Sequence, residues 1–272
     1  GAVPWIDREA FRAEAGILPV LFTDELHTRP GKTWLVDQYF QMGEAALVWG
    51  PRAQGKSTWI QDLMVCVGYG IPFQGIPVAR RLCIYVCAEG MSGADERIIA
   101  ARAKYDKLNG EEPAFVVYER PIDLMRRMDT VNKQLEYLKE TILALIRHST
   151  LPVGVVIFDT LAKCCGDGDE NSTRDMNAVI RGLQQDICEP TGAAAILVAH
   201  AGKEISRGPR GASSLEANCS TSFCVAKEDD DDVITITCKR QKECKEVEPT
   251  HIVLEEMVTT HPRTSQKVNA PV

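Results

Sequence analysis

The sequence predicts an α/β fold with a mainly parallel, twisted sheet covered by helices on both faces. Two observations favour this class: apolar strand-like runs alternate with helical stretches from Trp34 onward, and the apolar runs are continuous and rich in β-branched residues. Continuous apolar runs are typical of strands buried on both faces, which parallel sheets with crossover helices produce. A chain of 272 residues is long enough to bury the core of such a domain.

The alternating part of the chain contains five predicted strands and four predicted helices. The strands are Ala45 to Trp49, Leu82 to Cys87, Phe115 to Tyr118, Val153 to Phe158 and Ala194 to Val198. The helices are Lys56 to Gly70, Gly93 to Lys107, Thr130 to His148 and Asn171 to Cys188. After Ala201, apolar-rich runs at Thr221 to Ala226, Val233 to Thr237 and Ile252 to Leu254 are separated by polar turns, which predicts an antiparallel extension of the sheet.

The pattern divides the chain into three segments. Residues 1–30 carry three prolines and one predicted short helix, Asp7 to Ala15, so we expect an arm too small to fold alone. Residues 31–258 form the predicted main domain with its antiparallel extension, and the polar residues 259–272 are expected to be a flexible tail.

Composition narrows the class of protein. The net charge of −7 argues against a generally basic nucleic-acid binder, although a local basic channel remains compatible with it. No apolar stretch approaches the roughly 18 residues of a membrane span, and no signal-peptide pattern precedes the arm, so we expect a soluble cytoplasmic protein. The ten cysteines lie mostly in apolar runs and lack metal-ligand spacing, which favours buried, reduced thiols over a zinc site.

One motif predicts nucleoside triphosphate binding. The segment GPRAQGKS, residues 50–57, matches GxxxxGK[ST] and lies between a predicted strand and a predicted helix. Its backbone N–H groups form an anion cradle, Lys56 reaches the terminal phosphates, and Ser57 offers a hydroxyl to Mg²⁺. The expected phosphate-binding residues are Gly50, Pro51, Arg52, Ala53, Gln54, Gly55, Lys56, Ser57 and Thr58.

Three polar residues stand at the ends of predicted strands, at the edge where the phosphate loop lies. Asp159 ends the run VGVVIFD and is expected to hold Mg²⁺, with Thr160 supporting it. Glu89 follows the strand LCIYVC and is expected to orient and deprotonate the attacking water. His200 ends the strand AAAILVAH and is expected to hydrogen-bond the γ-phosphate and report its loss to the following loop.

These residues, in their order and spacing, resemble the RecA-like P-loop ATPases, and more closely the hexameric RepA-type replicative helicases and related AAA-labelled phage and plasmid ATPases. The resemblance covers about residues 30 to 257. It rests on WLVDQYF, LVWGPRAQGKST, CIYVCAEG with the later Arg97, VVIFDT, ILVAHAGK and RGPRGASSLEAN.

The resemblance implies ATP and Mg²⁺ as cofactors, with Glu89 as the catalytic glutamate, Asp159 as the Walker B acid and His200 as the sensor. It also implies that Arg210, with Arg207 as a competitor, is supplied in trans to the ATP of a neighbouring subunit. The segment KRQK resembles a second trans-acting motif, with Arg240 and Lys242 as its cations. A solvated basic turn is the alternative for that segment.

The implied partners are further copies of the chain, six in a ring, and single-stranded DNA. Loops at about 161–173 and 201–212 are expected to face the channel of the ring, and Lys203 and Arg207 on the second loop are expected to contact the DNA backbone. The first loop is acidic and neither loop carries an aromatic residue, which weakens the prediction of tight DNA binding. A RecA-type recombination or annealing ATPase and an ATP-gated assembly module remain as alternatives.

Overall fold

The computed structural model describes residues 6–14, 21–28, 31–89, 91, 93–109, 112–125, 131–202, 208–209, 213–227 and 232–272. Contacts divide the chain into two units, residues 1–32 and residues 33–272. In the described parts, no helix is both long enough and apolar enough to cross a membrane.

The first unit contains helix α1, Arg8–Ala13, and a 3₁₀ helix, Thr23–Thr28. Asp7 caps α1, since its side chain accepts a hydrogen bond from the backbone N–H of Ala10 at 3.1 Å. Arg8 pairs with Asp24 at 2.7 Å, and Phe11 packs edge-on against Phe22. These contacts are largely exposed, so they hold the two short helices together with little buried core.

The second unit contains twelve strands and six α-helices among the described residues, in alternating order from the third strand onward. In chain order they are β1 Trp34–Val36, β2 Phe40–Gln41, β3 Ala45–Gly50, α2 Lys56–Tyr69, β4 Leu82–Cys87, α3 Ala94–Asn109, β5 Phe115–Tyr118, α4 Lys133–His148, β6 Val153–Asp159, α5 Thr173–Gly182, α6 Glu189–Thr191, β7 Ala194–His200, α7 Ser213–Asn218, β8 Thr221–Lys227, β9 Val233–Gln241, β10 Thr250–Val253, β11 Glu256–Thr260 and β12 Lys267–Pro271. A π-helical segment, Leu183–Cys188, joins α5 to α6.

Eight of these strands form one sheet in the order β10-β9-β8-β3-β7-β6-β4-β5. The strands from β8 to β5 are parallel to their neighbours, whereas β9 and β10 pair antiparallel. The predicted α/β class with a mainly parallel sheet and an antiparallel extension is therefore confirmed. β8 was predicted as part of the extension, but it lies parallel beside β3.

Helices cover both faces of the sheet, which explains the continuous apolar runs. In β6, Val155 and Ile157 face a core that also contains side chains of α2 and α3. The alternate residues Val156 and Phe158 face a second core that contains side chains of α4 and α5. Because successive side chains of a strand point to opposite faces, a strand buried on both sides is apolar at every position.

The C-terminal residues differ from the prediction of a flexible tail over 259–272. β11 and β12 pair antiparallel, with Thr259 opposite Val268, so the predicted boundary at 258 falls inside a strand. Val268, Ala270 and Val272 are buried, and the backbone of Val272 exchanges two hydrogen bonds with Glu255. The alternating buried residues anchor the hairpin to the domain, beside α3, and the polar composition of the segment reflects only its outer face.

Candidate functional site

The phosphate loop runs from the end of β3 to the start of α2. At Gly50, an added Cβ would lie 1.9 Å from the carbonyl oxygen of Val225 on β8, so only glycine fits there. At Gly55, which precedes α2, φ is +84° and an added Cβ would lie 2.5 Å from a side-chain carbon of Ile234. The backbone between these glycines is thus held close to β8 and β9 and leads directly into the N-terminus of α2.

Lys56 is a buried cation at the centre of the loop. Its side chain is 5% exposed, and its Nζ donates a hydrogen bond to the carbonyl oxygen of Pro51 at 2.6 Å. Burial lowers the pKa of Lys56 to about 8, although the charges of Asp159 and Glu89 act in the opposite direction. A desolvated cation with a neutral acceptor as its hydrogen-bond partner favours an incoming anion, which would offset the cost of burial.

The predicted acids and the histidine meet the phosphate loop at one edge of the sheet. Asp159 ends β6, Glu89 follows β4 and His200 ends β7, and β7 pairs with β3 so that Gly50 stands opposite His200. Because the strands are parallel, all four carboxyl ends lie at the same edge. The fold therefore brings together residues that are more than one hundred positions apart in the chain.

Hydrogen bonds orient both carboxylates. The Tyr85 hydroxyl donates to Oδ2 of Asp159 at 2.6 Å, and Asp159 is 6% exposed. The Thr160 hydroxyl donates to Oε1 of Glu89 at 2.9 Å. The Glu89 side chain is 52% exposed, so one carboxylate is buried at the floor of the site while the other stands at its mouth.

His200 lies beside Glu89, with 3.9 Å between Nε2 and Oε1. Burial lowers the pKa of His200, and the neighbouring charge of Lys56 lowers it further, which keeps the imidazole neutral at pH 7. Its Nδ1 is buried and has no hydrogen-bond partner among the residues that the structure describes. A neutral imidazole in this place can donate to, or accept from, a ligand group.

These residues surround a cavity of about 670 Å³. Its lining contains Arg52, Ala53, Gln54, Gly55, Lys56, Ser57, Thr58, Glu89, Arg97, Thr160, Lys163, His200, Leu254 and Pro271. Most of the predicted phosphate-loop residues, Glu89 and His200 thus share one cavity. Asp159 lies buried next to Thr160 and acts on the charge of Lys56.

Four cavity residues received no site role from the sequence. Leu254 and Pro271 belong to the C-terminal part of the chain, and their approach to the phosphate loop depends on long-range packing that a polar, weakly patterned segment does not reveal. Lys163 lies in a loop that the sequence assigned to DNA. Arg97 was noticed only as part of the family resemblance, and its position three residues into α3 was the available signal.

The remaining predicted residues lie elsewhere. Arg240 and Lys242 stand at the end of β9, which runs antiparallel to β8, so they lie at the sheet edge opposite the phosphate loop of their own chain. Arg240 donates to the carbonyl oxygen of Cys219 at 3.2 Å, and Lys242 is exposed. Lys203, Arg207 and Arg210 lie outside the described residues.

The loop predicted at 161–173 is partly folded. It begins with a 3₁₀ turn, Leu161–Lys163, and Cys164 and Cys165 are buried behind that turn. Ser172 caps α5 by accepting a hydrogen bond from the N–H of Asp175. Only the residues between these anchors, including the acidic Asp167 and Asp169, are left to form an exposed surface loop.

The site fits a Mg²⁺ nucleotide. Ser57 and Asp159 carry the oxygen ligands that Mg²⁺ prefers, Lys56 supplies a desolvated positive charge, and the glycines leave a cradle that any Cβ would fill. No metal ligand of another class is required for this chemistry.

Comparisons with known proteins agree with this geometry. A family model described as an AAA domain matches residues 10–206, more than half of the chain. Among solved structures, the ATPase domain of a phage replicative helicase is similar, with a TM-score of 0.57 and 8% sequence identity over 90% of this chain and 95% of that chain. At that identity the likeness concerns the fold. A search of curated proteins gave no match. The chain therefore belongs to the AAA domain family, as a P-loop ATPase with a RecA-like fold.

Proposed function

We propose that this protein is a DNA helicase or translocase of RepA type, which hydrolyses ATP at the interfaces of a ring-shaped oligomer. The observation that carries the proposal is the shared cavity of about 670 Å³, in which the phosphate loop meets Glu89 and His200 above the buried Asp159. This arrangement contains a cradle for the phosphates, a carboxylate for a metal, and a second carboxylate for a water molecule.

Binding of ATP relies on Lys56 and the loop backbone. The triphosphate would accept hydrogen bonds from the N–H groups at the start of α2, and its charge would replace Pro51 as the partner of the Lys56 ammonium. Ser57 and Asp159 would hold Mg²⁺, which neutralises charge on the β- and γ-phosphates when bound.

Hydrolysis relies on Glu89. The Thr160 hydroxyl holds Oε1 of Glu89, which leaves Oε2 to accept a proton from water as the water oxygen attacks the γ-phosphorus. The bond from the γ-phosphorus to the bridging oxygen breaks, and ADP and phosphate leave. Neutral His200 would hydrogen-bond a γ-phosphate oxygen, so loss of the phosphate would remove that bond.

The segment after His200 connects this event to the expected DNA loop. The N–H of Ala201 donates to the carbonyl oxygen of Gly50 at 2.8 Å, and Ala201 pairs with Pro209 in an antiparallel bridge. The ends of the loop are thus fastened to the phosphate-loop strand. Within this loop we assign Lys203 and Arg207 to the DNA backbone, in the ring's central channel.

The trans-acting cations complete the proposed site. Arg240 and Lys242 lie at the sheet edge away from their own cavity, so in a head-to-tail ring they can reach the cavity of a neighbour. We assign Arg210 the same role toward the neighbour's γ-phosphate, where a cation stabilises charge that develops during transfer.

Mixing two inactive variants tests the shared site. Lys56→Ala destroys the cavity of its own subunit but keeps Arg210, whereas Arg210→Ala keeps its own cavity and fails its neighbour. Each variant alone should lose ATP turnover, and an equimolar mixture should regain about a quarter of the wild-type rate if neighbours pair at random. A mixture as inactive as its components would refute sites shared between subunits.

Strand displacement tests the helicase assignment separately. A forked DNA substrate should be unwound by the wild-type protein with ATP, and Glu89→Gln should bind the DNA without unwinding it. ATP turnover without unwinding, accompanied by open-ended polymers on DNA, would favour a RecA-type recombination ATPase instead.

A further inference from the structure

A chain of buried hydrogen bonds extends from the cavity wall to the Asp159 carboxylate. Arg97 Nε donates to Oε1 of Gln61 at 3.1 Å, and Nε2 of Gln61 donates to the Tyr85 hydroxyl at 2.9 Å. The Tyr85 hydroxyl in turn donates to Oδ2 of Asp159 at 2.6 Å. The interior members are almost inaccessible, since Gln61 and Tyr85 are each 1% exposed.

All three hydrogen bonds point in the same direction, from a cation to an anion. Each acceptor is thereby polarised into a better donor for the next group, which strengthens the chain in a medium of low dielectric. Burial raises the pKa of Tyr85 well above its ordinary value, so the phenol stays protonated and remains a donor. The polarity of the chain therefore stays fixed across the working pH range.

The chain connects every element that touches the phosphate end of the cavity. Gln61 lies four residues after Ser57 on α2, on the same side of that helix. Tyr85 belongs to β4, which leads to Glu89, and Arg97 lies on α3 and lines the cavity. A phenylalanine at position 85 would fill the same apolar core, so packing alone does not explain the hydroxyl aimed at Asp159.

We propose that Tyr85, Gln61 and Arg97 are positioning residues that fix the Asp159 carboxylate for Mg²⁺. This inference rests on the proposed function of the cavity. Tyr85 occupies Oδ2 of Asp159, which leaves Oδ1 for the metal and prevents the carboxylate from rotating toward Lys56. Arg97 gives the chain a cationic end at the cavity wall, where the nucleotide is expected.

A fluorescent ATP analogue tests the role of Tyr85 without measuring turnover. Tyr85→Phe should bind the analogue in EDTA within about twofold of wild type, because the phosphate loop is unchanged. The Mg²⁺ concentration that gives half of the metal-dependent binding should rise about tenfold, the usual effect of removing a residue that orients a metal ligand. Urea unfolding of each variant verifies that the domain is folded.

Tyr105→Phe is the matched control. The Tyr105 hydroxyl donates to Oδ1 of Asp62 at 2.8 Å between α3 and α2, so this substitution removes the same kind of bond outside the cavity. Its Mg²⁺ dependence should equal that of wild type. Gln61→Met interrupts the chain one step earlier and should shift the Mg²⁺ dependence in the same direction by about threefold, which keeps the test available if Tyr85→Phe does not fold.

The outcomes separate this inference from the proposed function. Wild type that binds no nucleotide contradicts the proposed function and the inference with it. Nucleotide binding by wild type, with an unchanged Mg²⁺ dependence in Tyr85→Phe and Gln61→Met, overturns the inference alone. Equal loss of affinity with and without Mg²⁺ also overturns it, since that result assigns the tyrosine to packing of the phosphate loop.

Discussion

Lys56→Met should stabilise the nucleotide-free protein while it abolishes ATP binding. Burial lowers the pKa of Lys56 from 10.5 to about 8, which corresponds to about 3 kcal/mol of unfavourable free energy for the charged form at pH 7. Methionine has a similar shape and no charge. Loss of the hydrogen bond to Pro51 returns about 1 kcal/mol, so we expect a net gain of about 2 kcal/mol in the free energy of unfolding.

The same reasoning fixes the pH dependence. Between pH 8 and 10.5 the unfolded chain holds a proton on Lys56 that the folded chain has released, so wild-type stability rises with pH in that window. The penalty is fully present below pH 8 and absent above 10.5. The advantage of Lys56→Met over wild type should therefore shrink by about 1 kcal/mol between pH 7 and pH 9.

Urea unfolding without nucleotide, at pH 7 and pH 9, measures both quantities. Lys239→Met is the control, because Lys239 is exposed and the substitution should change stability by less than about 0.5 kcal/mol. If Lys56→Met is no more stable than wild type at pH 7, the buried ammonium is not a strained group waiting for an anion, and the reasoning fails.

Three further predictions concern other parts of the site. Glu89→Gln should reduce ATP turnover at least about a hundredfold while ATP affinity stays within about twofold, measured by turnover and by equilibrium binding, because only the proton acceptor is lost; equal losses in both would contradict its role as base. Gly50→Ala should destabilise the domain by about 3 kcal/mol in urea, since its Cβ would meet the Val225 carbonyl oxygen at 1.9 Å, whereas Gly31→Ala, with nothing within 4 Å, should not; similar unfolding midpoints would refute the steric argument. Ala270→Asp buries an unpaired charge beside Pro271 and should cost about 3 kcal/mol and lower ATP affinity, while Asn269→Asp on the exposed side of β12 should change neither.

The sequence contains the phosphate loop and the polar ends of three strands in a form that local pattern can reveal. Gly50, Lys56, Asp159, Glu89 and His200 each stand at a junction where an apolar run stops, and parallel strands then place those junctions at one edge. Element type and the catalytic edge therefore follow from periodicity and motif spacing.

Other features depend on packing between distant segments. Tyr85 stands in a wholly buried run where its hydroxyl has no local signal, and its partner Asp159 is 74 residues away. The C-terminal hairpin was expected to be flexible because its outer face is polar, yet Val268 and Ala270 are buried beneath that face. A pattern that alternates over so few residues does not distinguish an anchored strand from an exposed tail.

The ATP hydrolysis rate, measured with and without single-stranded DNA on samples whose molar mass is known from light scattering, tests the central claim most directly. The account predicts turnover by a closed ring of about six subunits, stimulation by DNA, and loss of turnover in Lys56→Ala. Turnover by an isolated subunit that ignores DNA, or turnover that survives Lys56→Ala, would contradict it.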